Sequence, residues 1–105
     1  MVTVMLTITF RPDMSADAAH SYWRTTHRDL VLAVPGVVGY KQNRRIKTIG
    51  TPGSWDGIVE LTFADPEDHE AAMLSPEWAA VDADAPNFVV YDDIRTAIVS
   101  QEIHR

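Results

Sequence analysis

The sequence predicts an α+β fold: a four-stranded antiparallel sheet with helices on one face, in the order strand, helix, strand, strand, helix, strand (βαββαβ). Three observations carry this reading. Val2, Val4, Leu6, Ile8 and Phe10 alternate with Thr3, Met5, Thr7 and Thr9, the period of two of a strand. Ser15 opens an amphipathic stretch that Pro35-Gly36 closes. Two helix starts, Asp65-Pro66 and Ser75-Pro76, stand between the third and last strand-like runs.

Arg11-Pro12-Asp13 breaks the first strand. Ser15 is placed to cap the following helix, and Asp17 in its first turn suits the positive end of the dipole. Ala19, Trp23, Thr26, Leu30 and Val34 fall at spacings of three and four and form the expected buried stripe. A second strand runs from about Val37 to Lys47, then a loop of turn formers, Gly50-Thr51-Pro52-Gly53-Ser54, then a third strand from Asp56 to Phe63. The two capped helices end near Asp84. Pro86 to Asp92 reads as loop, and Ile94 to Glu102 as the last strand, with Ile94, Thr96 and Ile98 on one face. This order is the ferredoxin-like arrangement, read as a single domain over residues 1–105. Helices cover one sheet face only, yet the strands carry apolar residues on both parities, Ile58 beside Val59 and Val37 beside Val38. An uncovered apolar face calls for a partner, and homodimerisation through the sheets is the expectation.

Composition narrows the function. The formal net charge is -6 and Arg44, Arg45 and Lys47 form the one basic cluster, which argues against nucleic acid as a partner. With no cysteine there are no disulfides, thiolate chemistry or zinc ribbons. No apolar run reaches the ~20 residues that span a bilayer. The N-terminal stretch has no basic start and alternates like a strand rather than a signal peptide. The expectation is a cytoplasmic protein that engages no membrane.

His27 lies about 50° off the centre of the apolar stripe, at its edge, where it could face a cleft beside the sheet. It reads either as an acid–base group or as a boundary histidine bonded to a backbone carbonyl. His20 is two turns away, ~10 Å, too far to share a metal ion with it; His69 reads as solvated and His104 as tail, so no metal site is expected. Trp23, Tyr40, Trp55 and Phe88 could line a pocket for a flat molecule or simply pack a core. Trp55, following the Gly/Pro loop, suits a cleft mouth or a dimer contact. Glu60 interrupts a central strand, either paired with Arg44 or Arg95 or serving as an acid–base group. Gln42 and Asn43 have opposite parity, so one at most faces the cleft, and Tyr40 shares the parity of Gln42. One of Asp82, Asp84, Asp92 and Asp93 could orient His27. No nucleophile elbow or phosphate-binding glycine loop is present.

Strand, RPDMS, YWRTTHRDLVLAVPGVVGYKQN and DGIVELTF together resemble the EthD family of dimeric α+β barrel proteins, over about residues 4 to 103. The most specific part is Trp23, His27, Leu30 and Val31, followed by Pro35-Gly36-Val37 and by Tyr40, Gln42 and Asn43; Asp56, Gly57, Glu60, Leu61, Phe63, Asp84, Asn87 and Phe88 agree in order and spacing. Relatives and look-alikes of that family include muconolactone methylisomerases, and decarboxylases and cyclases of polyketide-derived aromatics. They work without metal or organic cofactor, in a cleft between helices and sheet where a His or Tyr moves protons. The resemblance therefore implies a cofactor-independent lyase, isomerase or cyclase acting on a small aromatic or enolisable carbonyl compound. His27 and Tyr40 would be its catalytic residues, and Trp23, Asn43, Trp55, Glu60 and Phe88 would contact substrate. The alternatives are a non-catalytic dimeric small-molecule-binding accessory protein of a catabolic or biosynthetic pathway, and a cofactor-free oxygenase of the same barrel.

Overall fold

A computed structural model describes residues 1–50, 53 and 55–105. The elements are β1 (Val2–Ile8), α1 (Ala16–Tyr22), a π-helical turn (Trp23–His27), α2 (Arg28–Leu32), β2 (Val37–Arg44), β3 (Gly57–Phe63), α3 (Pro66–Met73), α4 (Pro76–Asp84) and β4 (Arg95–Val99). Short 3-10 turns at Ala85–Asn87 and Tyr91–Asp93 occupy the stretch expected to be plain loop. The sheet order is β2-β3-β1-β4, every neighbouring pair antiparallel, which is the ferredoxin-like topology the sequence predicts. In the expected loop before β3, Thr51, Pro52 and Ser54 lie outside the described residues.

Local chemistry accounts for the helix starts. The Ser15 hydroxyl accepts from the Ala18 N–H (3.1 Å), the Asp65 carboxylate from Asp68 (2.8 Å) and the Ser75 hydroxyl from Trp78 (3.1 Å). Pro66 and Pro76 sit at first-turn positions, where a missing N–H costs nothing. Gly36, at φ +84, makes the turn into β2 that a residue with a Cβ would resist.

The main departure lies in the first helix. The Arg28 N–H reaches back to the Trp23 carbonyl, a five-residue step that inserts a π turn into what would be one α-helix. In a plain α-helix, four-residue steps drift by about 40° each; the wider turn takes that drift back. The buried stripe is therefore Ala19, Trp23, His27, Val31 and Val34, whereas Thr26 is exposed and Leu30 only half-buried. His27 moves from the edge of the buried face to its middle.

The core lies between helices and sheet in two adjoining clusters. One gathers Ile8, Phe10, Trp23, Val59 and Phe88; the other gathers Val4, Val31, Leu61, Phe63 and Val81. Each such large side chain contributes about 1.5–3 kcal/mol on burial. His69, expected to be solvated, is half-buried with its ring 5.3 Å from that of Phe63. The uncovered sheet face is more polar than expected. The Thr3 hydroxyl bonds Thr62 and Gln101, and the amides of Gln101 and Asn43 both donate to Glu60. Met5 and Ile58 stand among these groups, so the face is mixed rather than apolar.

Candidate functional site

A cavity of about 280 Å³ opens between the helix layer and the sheet, at the small end of ligand-pocket sizes. Leu6, Val59 and Leu61 supply its floor from β1 and β3, while Trp23, His27 and Val31 face them from the first helix. Phe88 closes one side. The Phe10–Val89 bridge, the Arg11 N–H to Phe88 carbonyl bond (3.0 Å) and the Val90 N–H to Thr9 carbonyl bond (2.9 Å) hold it there. The exposed lining residues Asp82, Tyr91 and Thr96 mark the mouth.

His27 is 8% exposed. Its Nδ1 is 2.8 Å from Asp84 Oδ2, and its ring packs 4.7 Å from that of Phe88. An ionised carboxylate only accepts, so this bond assigns the proton to Nδ1 and leaves the Nε2 lone pair for the cavity. Burial pulls the His27 pKa below its ordinary value, and the pull of Asp84 in the other direction offsets only part of this. The imidazole is thus a free base at neutral pH.

Asp84 is the acid the sequence left undecided among four. It ends α4, where the helix dipole disfavours a negative charge. Tyr22 donates to Oδ1 (2.5 Å), as does Asn87 (3.0 Å), and His27 donates to Oδ2. Burial by itself would raise its pKa, but the bonds from Tyr22, His27 and Asn87 together hold it below the ordinary carboxylate value. A carboxylate held ionised behind a neutral imidazole is the arrangement that a general base and its orienting partner require. Asp82, in contrast, accepts the Tyr91 hydroxyl (2.6 Å) at the mouth.

Tyr40 lines the cavity from β2. Gln42 donates to its hydroxyl oxygen (2.7 Å), which leaves the phenol proton free for a cavity occupant, and donates also to the Trp23 carbonyl (2.8 Å). Burial raises the Tyr40 pKa, with bonds to Gln42 and Trp23 offsetting part of it, so the group is a donor and not a base near neutrality. Gln42 ties β2 to the π turn, a role that the sequence reading did not assign.

His27, Tyr40, Trp23 and Phe88 are thus brought together in one cavity. Asn43, Glu60 and Trp55 are not. Asn43 projects from the opposite face of β2 and donates to the Ile58 carbonyl (3.0 Å) and to Glu60 (3.1 Å). Glu60 is paired with neither Arg44 nor Arg95; strand alternation points it at the open face, toward the amides of Asn43 and Gln101. Trp55 is half-buried beside Gly53, ahead of β3, and does not line the cavity. Among the described residues no group of three or more His, Asp or Glu could hold a metal ion, and no helix is long and apolar enough to cross a membrane.

Fold and site define a ferredoxin-like α+β protein with a histidine–carboxylate pair at a mainly apolar cavity. The EthD domain family matches residues 11–92, and the chain belongs to the EthD family. No curated protein matches it. Among solved structures it is similar to an EthD family protein of Bacillus halodurans (TM-score 0.80, 20% identity, 97% of this chain and 100% of that one). A dimeric ferredoxin-like protein of unknown function from Thermobifida fusca gives a TM-score of 0.74 at 14% identity, covering 95% of this chain and 90% of that one. SnoaB, a cofactor-independent oxygenase of Streptomyces nogalater, gives 0.68 at 12% identity, covering 99% and 97%. At these identities the likeness concerns the fold.

Proposed function

We propose that this protein is a cofactor-independent lyase, isomerase or cyclase that moves a proton on a small aromatic or enolisable carbonyl compound. The observation that carries this reading is the His27–Asp84 bond at the wall of the cavity, with Nε2 left unprotonated. Nε2 takes a proton from an acidified C–H or phenolic O–H of the substrate. Asp84 steadies the imidazolium formed, and the Tyr40 hydroxyl donates to the oxygen on which charge develops. Trp23 and Phe88 pack the flat carbon skeleton. The imidazolium then returns the proton at another carbon or to a leaving group. Positioned proton transfer of this kind is worth ~10²–10⁴ in rate.

The likeness to SnoaB favours a second reading, a cofactor-free oxygenase, in which the anion left by the same proton removal reacts with molecular oxygen. We further propose that the chain acts as a homodimer, as the Thermobifida fusca protein is described, and in the cytoplasm, which its lack of cysteine suits.

Deuterium exchange at the acidic methylene of 2-tetralone in D₂O, followed by proton NMR, tests the chemistry without knowledge of the natural substrate. The wild-type protein should accelerate exchange and His27→Gln should lose at least a hundredfold of that acceleration. Exchange at the buffer rate, or a fully active His27→Gln, would overturn the reading. Oxygen uptake with electron-rich phenols separates the oxygenase from the non-oxidative reactions.

A further inference from the structure

Among the described residues, the cavity holds no counter-charge for an acid. None of its lining residues is Lys or Arg, and Asp82 stands at its mouth. Arg95, the cation nearest in sequence to the mouth, folds its guanidinium onto the carbonyls of Asp92 (2.8 Å) and Ile94 (3.1 Å). Arg28 is paired with Asp29 outside. A second negative charge, Asp84, lies directly behind the neutral His27 imidazole. Asp82 is held in position by the Tyr91 hydroxyl, so its charge has a fixed place on the entry path.

From this we infer that Asp82 makes the site charge-selective: it admits uncharged, oxygen-bearing flat molecules and refuses carboxylates and other anions. The inference rests on the cavity being the substrate site, as proposed above. An anion entering would give up its hydration and meet two carboxylates, with hydroxyl and indole N–H groups but no cation among the lining residues to receive it. A neutral ketone or phenol loses little and gains the apolar walls. Asp82 is then a specificity residue that takes no part in proton transfer. The step that supplies the substrate must deliver a free carbonyl or phenol, and any carboxyl group on its precursor must already be masked or lost.

The test is a pair of ligands of nearly the same shape, 2-naphthamide and 2-naphthoate, titrated by calorimetry at pH 7. Wild type should bind the amide at least tenfold more tightly. Asp82→Asn keeps the acceptor for Tyr91 and should tighten naphthoate about tenfold, the size of one poorly screened charge contact, with naphthamide changed less than twofold. Thr96→Lys, which adds a cation at the mouth, should also favour naphthoate. Equal affinities for the two ligands in wild type, or an Asp82→Asn change that is the same for both, would overturn the selectivity. Binding of neither compound would remove the cavity reading itself, and the selectivity with it.

Discussion

The Nδ1 of His27 lies 2.8 Å from Oδ2 of Asp84, and together with the Tyr22 hydroxyl on Oδ1 this contact joins the first helix to the end of α4 beside the cavity. It fixes the tautomer of the imidazole, holds its plane, and leaves its basic nitrogen for whatever occupies the space below.

The acid limb of activity should follow from it. Exchange of 2-tetralone needs His27 unprotonated, so the rate should rise with pH and level off, with a midpoint below the ordinary value of 6.5 because burial lowers the His27 pKa. Asp84 works against burial by favouring the imidazolium. Asp84→Asn should therefore shift the midpoint to still lower pH while reducing the plateau. A midpoint that rises in Asp84→Asn would contradict this account.

Stability should carry the same signature. The folded pKa of His27 is depressed, so its contribution is fully present above about pH 6.5 and is lost as pH falls through that value toward the folded pKa. Asp84 is depressed too, and its contribution is present above the ordinary carboxylate value of 3.8 and lost at lower pH. Urea unfolding between pH 7 and 5 should show a decline in wild type that His27→Gln flattens. A parallel decline in both proteins would mean that other groups govern it.

Element order, helix caps and strand parity were legible because each is local: a cap needs a side chain three residues from its N–H, and a strand face needs only alternation. The π turn was not. Its five-residue step depends on how the helix docks on the sheet, including the Gln42 amide that meets the Trp23 carbonyl. Periodicity alone thus put Thr26 on the buried stripe and His27 at its edge. Asp84 had a readable signal, an acid at the end of a helix where the dipole opposes it. Asn43 had one too, since sharing the cleft with Tyr40 violates alternation, and Gln42 satisfies it.

That last contrast is measurable. Gln42→Ala removes the donor to the Tyr40 hydroxyl and to the Trp23 carbonyl, and should lower 2-tetralone exchange about tenfold and cost about 1 kcal/mol of stability. Asn43→Ala, on the other face, should leave the exchange rate within twofold. Equal losses in the two variants would return Asn43 to the site.

The open sheet face sets an expectation for assembly. Met5 stands there between Glu60 and Ala97, in a field of threonines and amides. A homodimer formed through this face would be part polar, and light scattering at micromolar concentration should still read a dimer. Met5→Arg would put a bulky cation at its centre and shift the protein to monomer. A wild-type monomer under these conditions would remove the dimer reading.

Trp23 gives the sharpest packing test. Its ring is 1% exposed and lies over Gly57, where an added Cβ would sit 2.7 Å from the ring's Cη2. The carbonyl of Asn43, 3.2 Å from the same point, crowds it further. A glycine is therefore needed at the start of β3, because the indole fills the space a side chain would take. Gly57→Ala must displace the ring, whose outer face is cavity wall, so overpacking should cost about 1–3 kcal/mol. The ring lines the cavity, so displacing it should lower affinity for 2-naphthamide as well, beyond what the loss of folded protein explains. Trp23→Phe in the same background shortens the ring system and should restore both stability and binding in part. A Gly57→Ala protein as stable as wild type, binding 2-naphthamide normally, would show that the indole is free to move and does not set the shape of the site.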